Sequence, residues 1–195
     1  LDRFKKTLQH VDNFDVLVGY FRTSGFYALY HELENVKKIR ILNGIDVDKK
    51  TFDAYEKSQL SIDFESSFKL KERLSKNFQQ EIINAEDNQE TYEGYQKFVE
   101  FLKNGKIEFK QHPSHKLHAK VYISRFGKPI SDVDYGRVIT GSSNFSHSGL
   151  QANYEFNVEL KDRSDVDYAL SQFEKLWIES EDIKNLFIDT LENKT

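Results

Sequence analysis

Three segments in the second half of the chain alternate apolar and polar residues with a period of two. In the first segment, residues 117–123, four apolar residues alternate with His118, Lys120 and Tyr122. This period is typical of a strand with one buried face. His118 and Lys120 are therefore expected on the same face of an extended strand, with Cα atoms about 7 Å apart.

The other two segments bring further polar groups into the same part of the chain. Residues 137–140 form a short predicted strand, which ends in the turn sequence Gly-Ser-Ser-Asn at 141–144. Backbone N–H groups and small side chains in such a turn can surround an anion. Residues 153–160 alternate again, with Glu155 and Asn157 on a face expected to line a site. The opposite face is expected to build core and carries Tyr154, Phe156, Val158 and Leu160.

The rest of the chain alternates predicted strands with amphipathic helices. Strands at 14–21 and 38–43 enclose a helix at 26–33, and such a βαβ unit favours parallel pairing. We therefore predict an α/β fold with a mixed, largely parallel β-sheet flanked by helices, and residues 1–195 as a single domain. The remaining predicted elements are helices at 1–11, 64–83, 92–102, 164–178 and 183–191 and a strand at 107–110.

The composition indicates a globular domain. The 195 residues include 14% aromatic residues, enough to build a sizeable core. No cysteine is present, which excludes disulfides and thiolate-metal sites and fits a reducing compartment. The sequence contains neither a membrane-length apolar run nor a signal peptide, so we expect a cytoplasmic protein with no membrane partner. It begins at Leu1 and contains no methionine, which suggests a piece of a larger protein.

Charge is unevenly distributed along the chain. The net charge of −4 argues against a globally basic nucleic-acid binder. Residues 103–128, however, contain seven basic residues and one acidic residue, a net of +6. This segment predicts positive charge concentrated around Lys120. The alternative is that its lysines outside the motif are ordinary solvated surface charges.

These patterns together resemble the phospholipase D superfamily of phosphodiesterases. The resemblance rests on His118-x-Lys120, followed by Gly-Ser-Ser-Asn at 141–144 and by Glu155 on the next strand, and it is clearest over residues 107–160. It is closer to the single-motif members that occur as nuclease domains of restriction enzymes and as accessory domains of bacterial helicases. The superfamily pattern has an aspartate five residues after the lysine, where this chain has Arg125. The resemblance implies a phospholipase D-like α/β/α sandwich, DNA as a partner, and helicase or ATPase domains in the parent chain.

The residues of the motif suit phosphodiester cleavage without a metal or another cofactor. His118 is the predicted nucleophile and would form a phosphohistidine, while Glu155 would orient its imidazole. The cleavage also needs a general acid, and no other histidine of the chain has a lysine two residues later. A homodimer that brings His118 of both subunits to one composite site would supply the acid. A second motif in another part of the parent chain would do the same.

The remaining polar residues are predicted to bind the substrate. Lys120 and Asn144, helped by Ser142 or Ser143, would hold the non-bridging phosphate oxygens and neutralise charge in the transition state. Asn157, on the same face as Glu155, is a predicted substrate contact.

Other interpretations of these residues stay open. The spacing of His112, His115 and His118 is compatible with a metal site, although no acidic ligand lies nearby in the sequence. His118 could also be a structural histidine bonded to Glu155. The alternative functions are a non-catalytic DNA-binding or dimerisation module of a helicase, with the site as a phosphate clamp, and a lipid-headgroup transferase.

Overall fold

The computed structural model describes residues 1–44, 75–77, 79–80, 84, 88–113, 117–128, 130–152, 154–185 and 188. The helices are α1 (Asp2–Leu8), α2 (Thr23–Tyr27), α3 (Tyr30–Leu33), α4 (Gln89–Lys103) and α5 (Arg163–Ile178), with a 3-10 turn at Ile130–Asp132 and a π-helical turn at Ser148–Ala152. The strands are β1 (Val11–Val18), β2 (Lys38–Asn43), β3 (Ile107–Gln111), β4 (Lys120–Phe126), β5 (Gly136–Gly141), β6 (Asn157–Leu160) and β7 (Glu181–Asp182).

The strands of the described residues form one mixed sheet in the order β6-β5-β4-β1-β2-β3-β7. Strands β1, β2 and β3 pair in parallel, whereas the other four pairings are antiparallel. The predicted mixed α/β sheet flanked by helices is confirmed. Its parallel part is confined to the first three strands, because β4 runs antiparallel to β1 and to β5, and β7 runs antiparallel to β3.

Helices cover both faces of this sheet. On one face, which we call the α1–α4 face, helices α1 to α4 pack on alternate residues of the central strands such as Phe14 and Val16. Within α4, Phe98, Phe101 and Leu102 are buried at helical spacing. The other face, the α5 face, is covered by Phe173, Trp177 and neighbouring residues of α5. Strand β1 is buried on both faces because it lies in the middle of the sheet.

Several strand ends meet at the same end of the sheet, which we call the site end. Strands β1, β2, β3 and β5 finish there and β4 and β6 begin there, as their registers require. The residues at the site end are Val18, Asn43, Gln111, Lys120, Gly141 and Asn157. Because β4 and β5 are antiparallel, the predicted His-x-Lys segment and the predicted Gly-Ser-Ser-Asn turn arrive at this end together.

One predicted core face is wrong. The row Tyr154, Phe156, Val158 and Leu160 is exposed, with Phe156 at 78% and Leu160 at 37% of full exposure. Strand β6 is the last strand of the sheet on its side, and α5 does not extend over this row. Period-two alternation correctly separated the two sides of the strand but did not show that one side lacks a covering layer.

The other predicted elements fit with shifted boundaries. The first strand lies at Val11–Val18 rather than 14–21, and the predicted helix at 26–33 is divided into α2 and α3. Most of the helix predicted at 64–83 and part of that at 183–191 lie outside the described residues. Among the helices that the structure describes, none has both the length and the apolar character to cross a membrane.

Candidate active site

The segment that carries His118 and Lys120 crosses the site end directly over two glycines. Gly19 follows β1 and Gly44 follows β2. A Cβ on either glycine would lie 2.7 Å from the carbonyl oxygen of Leu117, and a Cβ on Gly19 would also lie 3.0 Å from the Cα of His118. Any side chain at these positions would displace the backbone of the motif. Glycine at both positions therefore allows the motif to lie this close to the sheet.

His118 and Lys120 both lie at the solvent-accessible margin of the site end. Lys120 lies two residues before the buried Tyr122 on the strand, and it therefore extends from the same α1–α4 face. Its ammonium lies 3.4 Å from the backbone carbonyl oxygen of His118. The His118 side chain is exposed. The same segment therefore brings a partly exposed cation and an exposed imidazole to the site end.

Ser142 connects the turn after β5 to the segment that enters β6. Its N–H donates to the Phe156 carbonyl at 3.1 Å, and its Oγ accepts from the Phe156 N–H at 3.0 Å. The Ser142 hydroxyl donates in turn to the Glu155 carboxylate. A Cβ on Gly141 would lie 2.1 Å from the Phe156 carbonyl oxygen, so a glycine is needed for this close approach. Ser142 and Glu155 are therefore neighbours.

Ser143 and Asn157 bond to each other on the same two strands. The Ser143 N–H donates to Asn157 Oδ1 at 3.3 Å, and Asn157 Nδ2 donates to Ser143 Oγ at 2.7 Å. Ser143 is buried, whereas Asn157 is exposed. In this arrangement the pair holds the turn against β6, and the substrate-binding role expected of both residues stays a prediction.

Tyr122 supports the same turn from below and was missed by the sequence analysis. Its ring is fully buried and packs against Phe4 and Phe145, with centroids 4.9 and 6.2 Å away. Its hydroxyl donates to the Ser143 carbonyl at 2.7 Å. Burial, and then the charge of Glu155, raise the pKa of this hydroxyl, which keeps it protonated as a donor. The sequence pattern placed Tyr122 on the polar face with His118 and Lys120, so its complete burial was not expected.

Asn144 presents an unsatisfied polar atom at the site end. Its side-chain Oδ1 is buried and has no hydrogen-bond partner among the described residues. The next residue, Phe145, is buried and stacks on Phe21 with ring centroids 5.3 Å apart. The Arg22 N–H donates to the Phe145 carbonyl at 2.9 Å. Because a buried acceptor without a donor is costly, Asn144 is a position where a bound ligand or partner can supply one.

Arg125 lies away from these residues. It is near the opposite end of β4, and it follows Lys120 by an odd number of positions, so it extends from the α5 face. There its guanidinium bonds to the buried Asp15 carboxylate at 3.1 Å, and Arg40 bonds to the other oxygen of Asp15 at 2.6 Å. Arg40 also pairs with Glu174 at 2.7 Å. The departure from the superfamily pattern at Arg125 therefore belongs to an ion cluster under α5.

The predicted concentration of positive charge around Lys120 is only partly present. The basic segment runs to the site end along β3 and leaves it along β4, so Lys106, Arg125 and Lys128 lie toward the far end. Lys106 bonds to the Glu34 carbonyl at 2.6 Å, and Lys110 bonds to the Trp177 carbonyl at 3.0 Å. Among the described basic residues of this segment, Lys120 lies beside the turn of β5, which is formed by residues 141–144.

Among the described residues, no group of three or more histidine, cysteine or acidic side chains could hold a metal ion. His115, a member of the alternative metal triad, lies outside the described residues. His112 is buried, and its Nε2 lies 3.4 Å from Glu179 after α5. His112 is therefore engaged at the α5 side of the sheet, away from the α1–α4 face from which Lys120 extends.

The structure brings some of the predicted site residues together, and their roles stay predictions. It joins Ser142 to Glu155 and Ser143 to Asn157, and it brings the Lys120 ammonium near the His118 backbone. The orienting contact expected between Glu155 and the His118 imidazole stays a prediction. Gly19, Gly44 and Tyr122 are the positioning residues that the sequence analysis missed. The two glycines were detectable as residues directly after parallel strands.

Solved structures with a similar fold cover nearly the whole chain at low sequence identity. Phosphatidylserine synthase from Haemophilus influenzae matches with a TM-score of 0.50 and 14% identity, covering 93% of this chain and 36% of the synthase. NucT from Helicobacter pylori matches with a TM-score of 0.49 and 12% identity, covering 93% of this chain and 89% of NucT. TrmBL2, an archaeal chromatin protein, matches with a TM-score of 0.42 and 15% identity, covering 92% of this chain and 48% of TrmBL2.

These likenesses concern the fold, and the chain spans less than half the length of TrmBL2 and of the synthase. The search of curated proteins gave no match. A family model described as "Cardiolipin synthase, PLD-like domain" matches residues 10–177, which include every strand up to β6 and the whole candidate site. The chain therefore belongs to the family of phospholipase D-like domains.

Proposed function

We propose that this domain is a metal-independent phosphodiesterase that cleaves DNA through a phosphohistidine intermediate. The observation that carries the proposal is the meeting of three polar segments at one end of the sheet. The exposed His118, the partly exposed Lys120, the turn that contains Asn144, and Glu155 just before β6 all lie there. The family membership supports phosphodiester chemistry, and the sequence resemblance to nuclease-type members is the basis for choosing DNA.

In the first step, a ring nitrogen of His118 attacks phosphorus and the bond to the leaving oxygen breaks. A second imidazolium gives its proton to that oxygen. In the second step, water attacks phosphorus, its proton passes to the now neutral second imidazole, and the P–N bond breaks. The products are a phosphate monoester and a free hydroxyl end, and both histidines return to their initial protonation states.

Lys120 and the turn of β5 would stabilise the charge that develops on the phosphoryl oxygens. The Lys120 ammonium is near the His118 backbone and points to the accessible side of the motif. The side-chain amide of Asn144 can donate to a phosphate oxygen, while its buried Oδ1 can accept from a ligand or partner donor. Loss of one such preorganised donor typically lowers the rate about 10²- to 10³-fold.

Glu155 is the proposed orienting group for His118. Its carboxylate is fixed by the Ser142 hydroxyl and lies close enough to Tyr122 to affect the tyrosine's pKa. A carboxylate held in this way can bond to one nitrogen of an imidazole and leave the other free to attack. The Ser142–Glu155 bond then gives Ser142 a supporting role behind the nucleophile.

The second imidazole would come from a second copy of the chain. Within one chain the H-x-K motif occurs once, so the site is incomplete without another histidine donor. The exposed row of β6 begins beside Glu155 and lies on a strand that is last in the sheet. Burial of exposed aromatic side chains such as Tyr154 and Phe156 stabilises an interface by about 1.5–3 kcal/mol each. We therefore propose a two-fold homodimer that packs through this row.

The proposed parent is a DNA helicase or restriction protein, in which ATPase domains would present the DNA. A cytoplasmic location is part of the same proposal. The alternative, a DNA-binding or dimerisation module, is favoured by one observation: the H-x-K motif occurs once in this sequence. A chain that never pairs its His118 would clamp phosphate without cutting.

The test is cleavage of supercoiled and single-stranded DNA in excess chelator. We expect wild-type protein to cut both with metal removed and His118→Ala to lose cutting by a factor of about 10³ or more. His10→Ala is the matched control, because His10 is also exposed but precedes β1 at the far end of the sheet. DNA binding without cutting by the wild-type chain would contradict the enzyme and support the clamp. Cleavage of a phospholipid headgroup in place of DNA would indicate the transferase alternative.

Mixing of subunits tests the composite site separately. If each site needs His118 from both copies, heterodimers of wild-type and His118→Ala chains are inactive. Total activity then falls with the square of the wild-type fraction. A linear fall with that fraction would show that each chain works alone.

A further inference from the structure

A large polar cavity lies beside the candidate site and has no part in the chemistry proposed above. Its volume is about 620 Å³, within the range of small-molecule sites. Residues 22–24 line one side of it, His147 and Gln151 line a second, and the start of α4 lines a third. The cavity opens on the side of the domain where the turn of β5 meets α2.

Backbone contacts link the residues that line the cavity to the candidate site. Arg22 lies three residues after Gly19, the residue in close approach to His118, which is a distance of about 10 Å along the chain. The Arg22 N–H bonds to the carbonyl of Phe145, the neighbour of Asn144. The His147 N–H donates to Ser24 Oγ at 3.1 Å, which closes the wall between them.

The lining of the cavity is unusually rich in side-chain amides. Five of them border it: Asn77, Gln80, Asn84, Asn88 and Gln151. Gln80 Nε2 donates to Asn84 Oδ1 at 3.2 Å, which leaves further donors and acceptors of both amides in accessible positions. Asparagine and glutamine present a donor and an acceptor side by side, the pattern that pairs with the edge of a nucleobase.

An aromatic and a guanidinium group lie at the entrance. The guanidinium carbon of Arg22 is 3.8 Å from the ring centroid of Tyr20. Tyr20 directly follows Gly19, and Arg22 lines the cavity, so this stacked pair follows the residue beneath His118 along the chain. Aromatic rings and arginine planes are surfaces on which unpaired bases stack.

We propose that this cavity binds one unpaired nucleobase of the DNA strand that is cut, next to the scissile phosphate. The proposal rests on the proposed function and specifies its substrate as a strand with an accessible base, either single-stranded or locally unpaired. The amides read the edge of the base, and the Arg22–Tyr20 pair guides the strand from the cavity toward His118. A paired base in a regular duplex cannot enter, since its edge is occupied and its faces are stacked.

Binding measurements can test the cavity without relying on cleavage. The probe is a short fluorescein-labelled single-stranded oligonucleotide bound by His118→Ala chains, with an abasic residue moved along it one position at a time. We expect one position at which the missing base weakens binding by about tenfold and the others to change it little. The same sequence as a duplex should bind more weakly than the single strand.

Substitutions of residues that line the cavity then test whether the base at that sensitive position binds in the cavity. Gln80→Ala with Asn84→Ala should weaken binding of the intact strand about tenfold and remove the penalty of the abasic residue. Gln96→Ala is the matched control, an exposed glutamine on α4 that does not line the cavity, and it should bind as the parent does. Because Gln80, Asn84 and Gln96 are exposed, all three changes should leave folding intact.

A flat abasic scan, or a cavity variant that shows the same penalty as the parent, would overturn the nucleobase proposal. If wild-type protein still cuts DNA, the proposed function stands and only the cavity assignment fails. A single sensitive position that depends on Gln80 and Asn84, found in a protein that never cuts, would support the cavity and reject the catalytic proposal.

Discussion

Two polar clusters lie on opposite faces of the same sheet, and they use their polar groups in opposite ways. Under α5, Asp15 is 1% exposed and bonds to Arg40 and Arg125, and Arg40 continues to Glu174. At the site end, Lys120 and Glu155 are half-buried, and Glu155 accepts a hydrogen bond from the uncharged Ser142 hydroxyl. The first cluster neutralises its charges internally, which suits a structural role. The second places its charges at the accessible margin of the sheet, which suits binding or catalysis.

The two clusters also differ in the groups to which their side chains bond. The α5 cluster links side chains of three strands and a helix, so its contacts cross the middle of the sheet. The site-end cluster uses side chains mainly to hold backbone groups, as in the bonds from Tyr122 to Ser143 and from Phe156 to Ser142. A turn held in this way is preorganised, so little ordering remains when a phosphate binds. The comparison predicts which substitutions affect activity and which affect stability.

The largest expected effect is that of His118→Ala on activity. Cutting should fall by about 10³-fold or more, because the nucleophile is gone. The free energy of unfolding should change by no more than about 0.5 kcal/mol, since the side chain is exposed. Cleavage assays and urea unfolding on the same preparation measure both quantities. A large loss of stability would assign His118 to the structure instead.

Asp15→Asn should show the opposite pattern. Removal of the buried charge leaves Arg40 and Arg125 without their shared carboxylate, and we expect a loss of about 3–5 kcal/mol in unfolding free energy. The matched control is Asp12→Asn, whose partner Lys37 is largely exposed, with an expected loss below about 1 kcal/mol. Activity per folded molecule should be unchanged. Equal losses for the two variants would contradict the structural role of the α5 cluster.

These two clusters also show which features could be predicted from the sequence and which could not. The strand with His118 and Lys120 and the turn with Asn144 were predictable, because period-two alternation and small turn residues are local signals. The partner of Arg125 was not, since Asp15 lies 110 residues away in the sequence. Only the sheet register brings them together.

The failed expectations share a physical cause. The apolar residues of β6 alternate as core residues do, yet no helix of the described chain covers them, and coverage depends on the tertiary arrangement. The basic run at 103–128 looked concentrated because it is continuous in sequence. The chain carries it to the site end and back, which separates Lys106 and Lys128 from Lys120 in space.

The exposed row of β6 gives the third expected effect. Phe156→Ser should weaken the proposed dimer by about tenfold or more, because it removes about 1.5–3 kcal/mol of apolar burial from each contact. Activity should then depend more steeply on protein concentration. Tyr168→Ser is the control, an exposed aromatic of α5 outside the row. Analytical ultracentrifugation with parallel cleavage assays checks both expectations, and an unchanged dimer would exclude this face.

The smallest expected effect belongs to the support beneath the turn. Tyr122→Phe keeps the buried ring but removes the hydroxyl that donates to the Ser143 carbonyl. We expect a loss of about 1–2 kcal/mol in unfolding free energy and a lower kcat with little change in KM, because the turn with Asn144 is less well fixed. Tyr92→Phe, an exposed tyrosine of α4, serves as the control. A stability change with normal kcat would separate Tyr122 from the site.

The central claim is that His118 forms a covalent bond to phosphorus, and the most direct measurement is to find that bond. Labelled DNA is mixed with the protein in excess chelator, the reaction is stopped with denaturant within one turnover, and the adduct is located by mass spectrometry of the peptides. The account predicts DNA joined to a His118 ring nitrogen through a phosphoramidate (P–N) bond in the wild-type chain and no such adduct in His118→Ala. DNA cut at the wild-type rate with no adduct, or with an adduct on another residue, would contradict it.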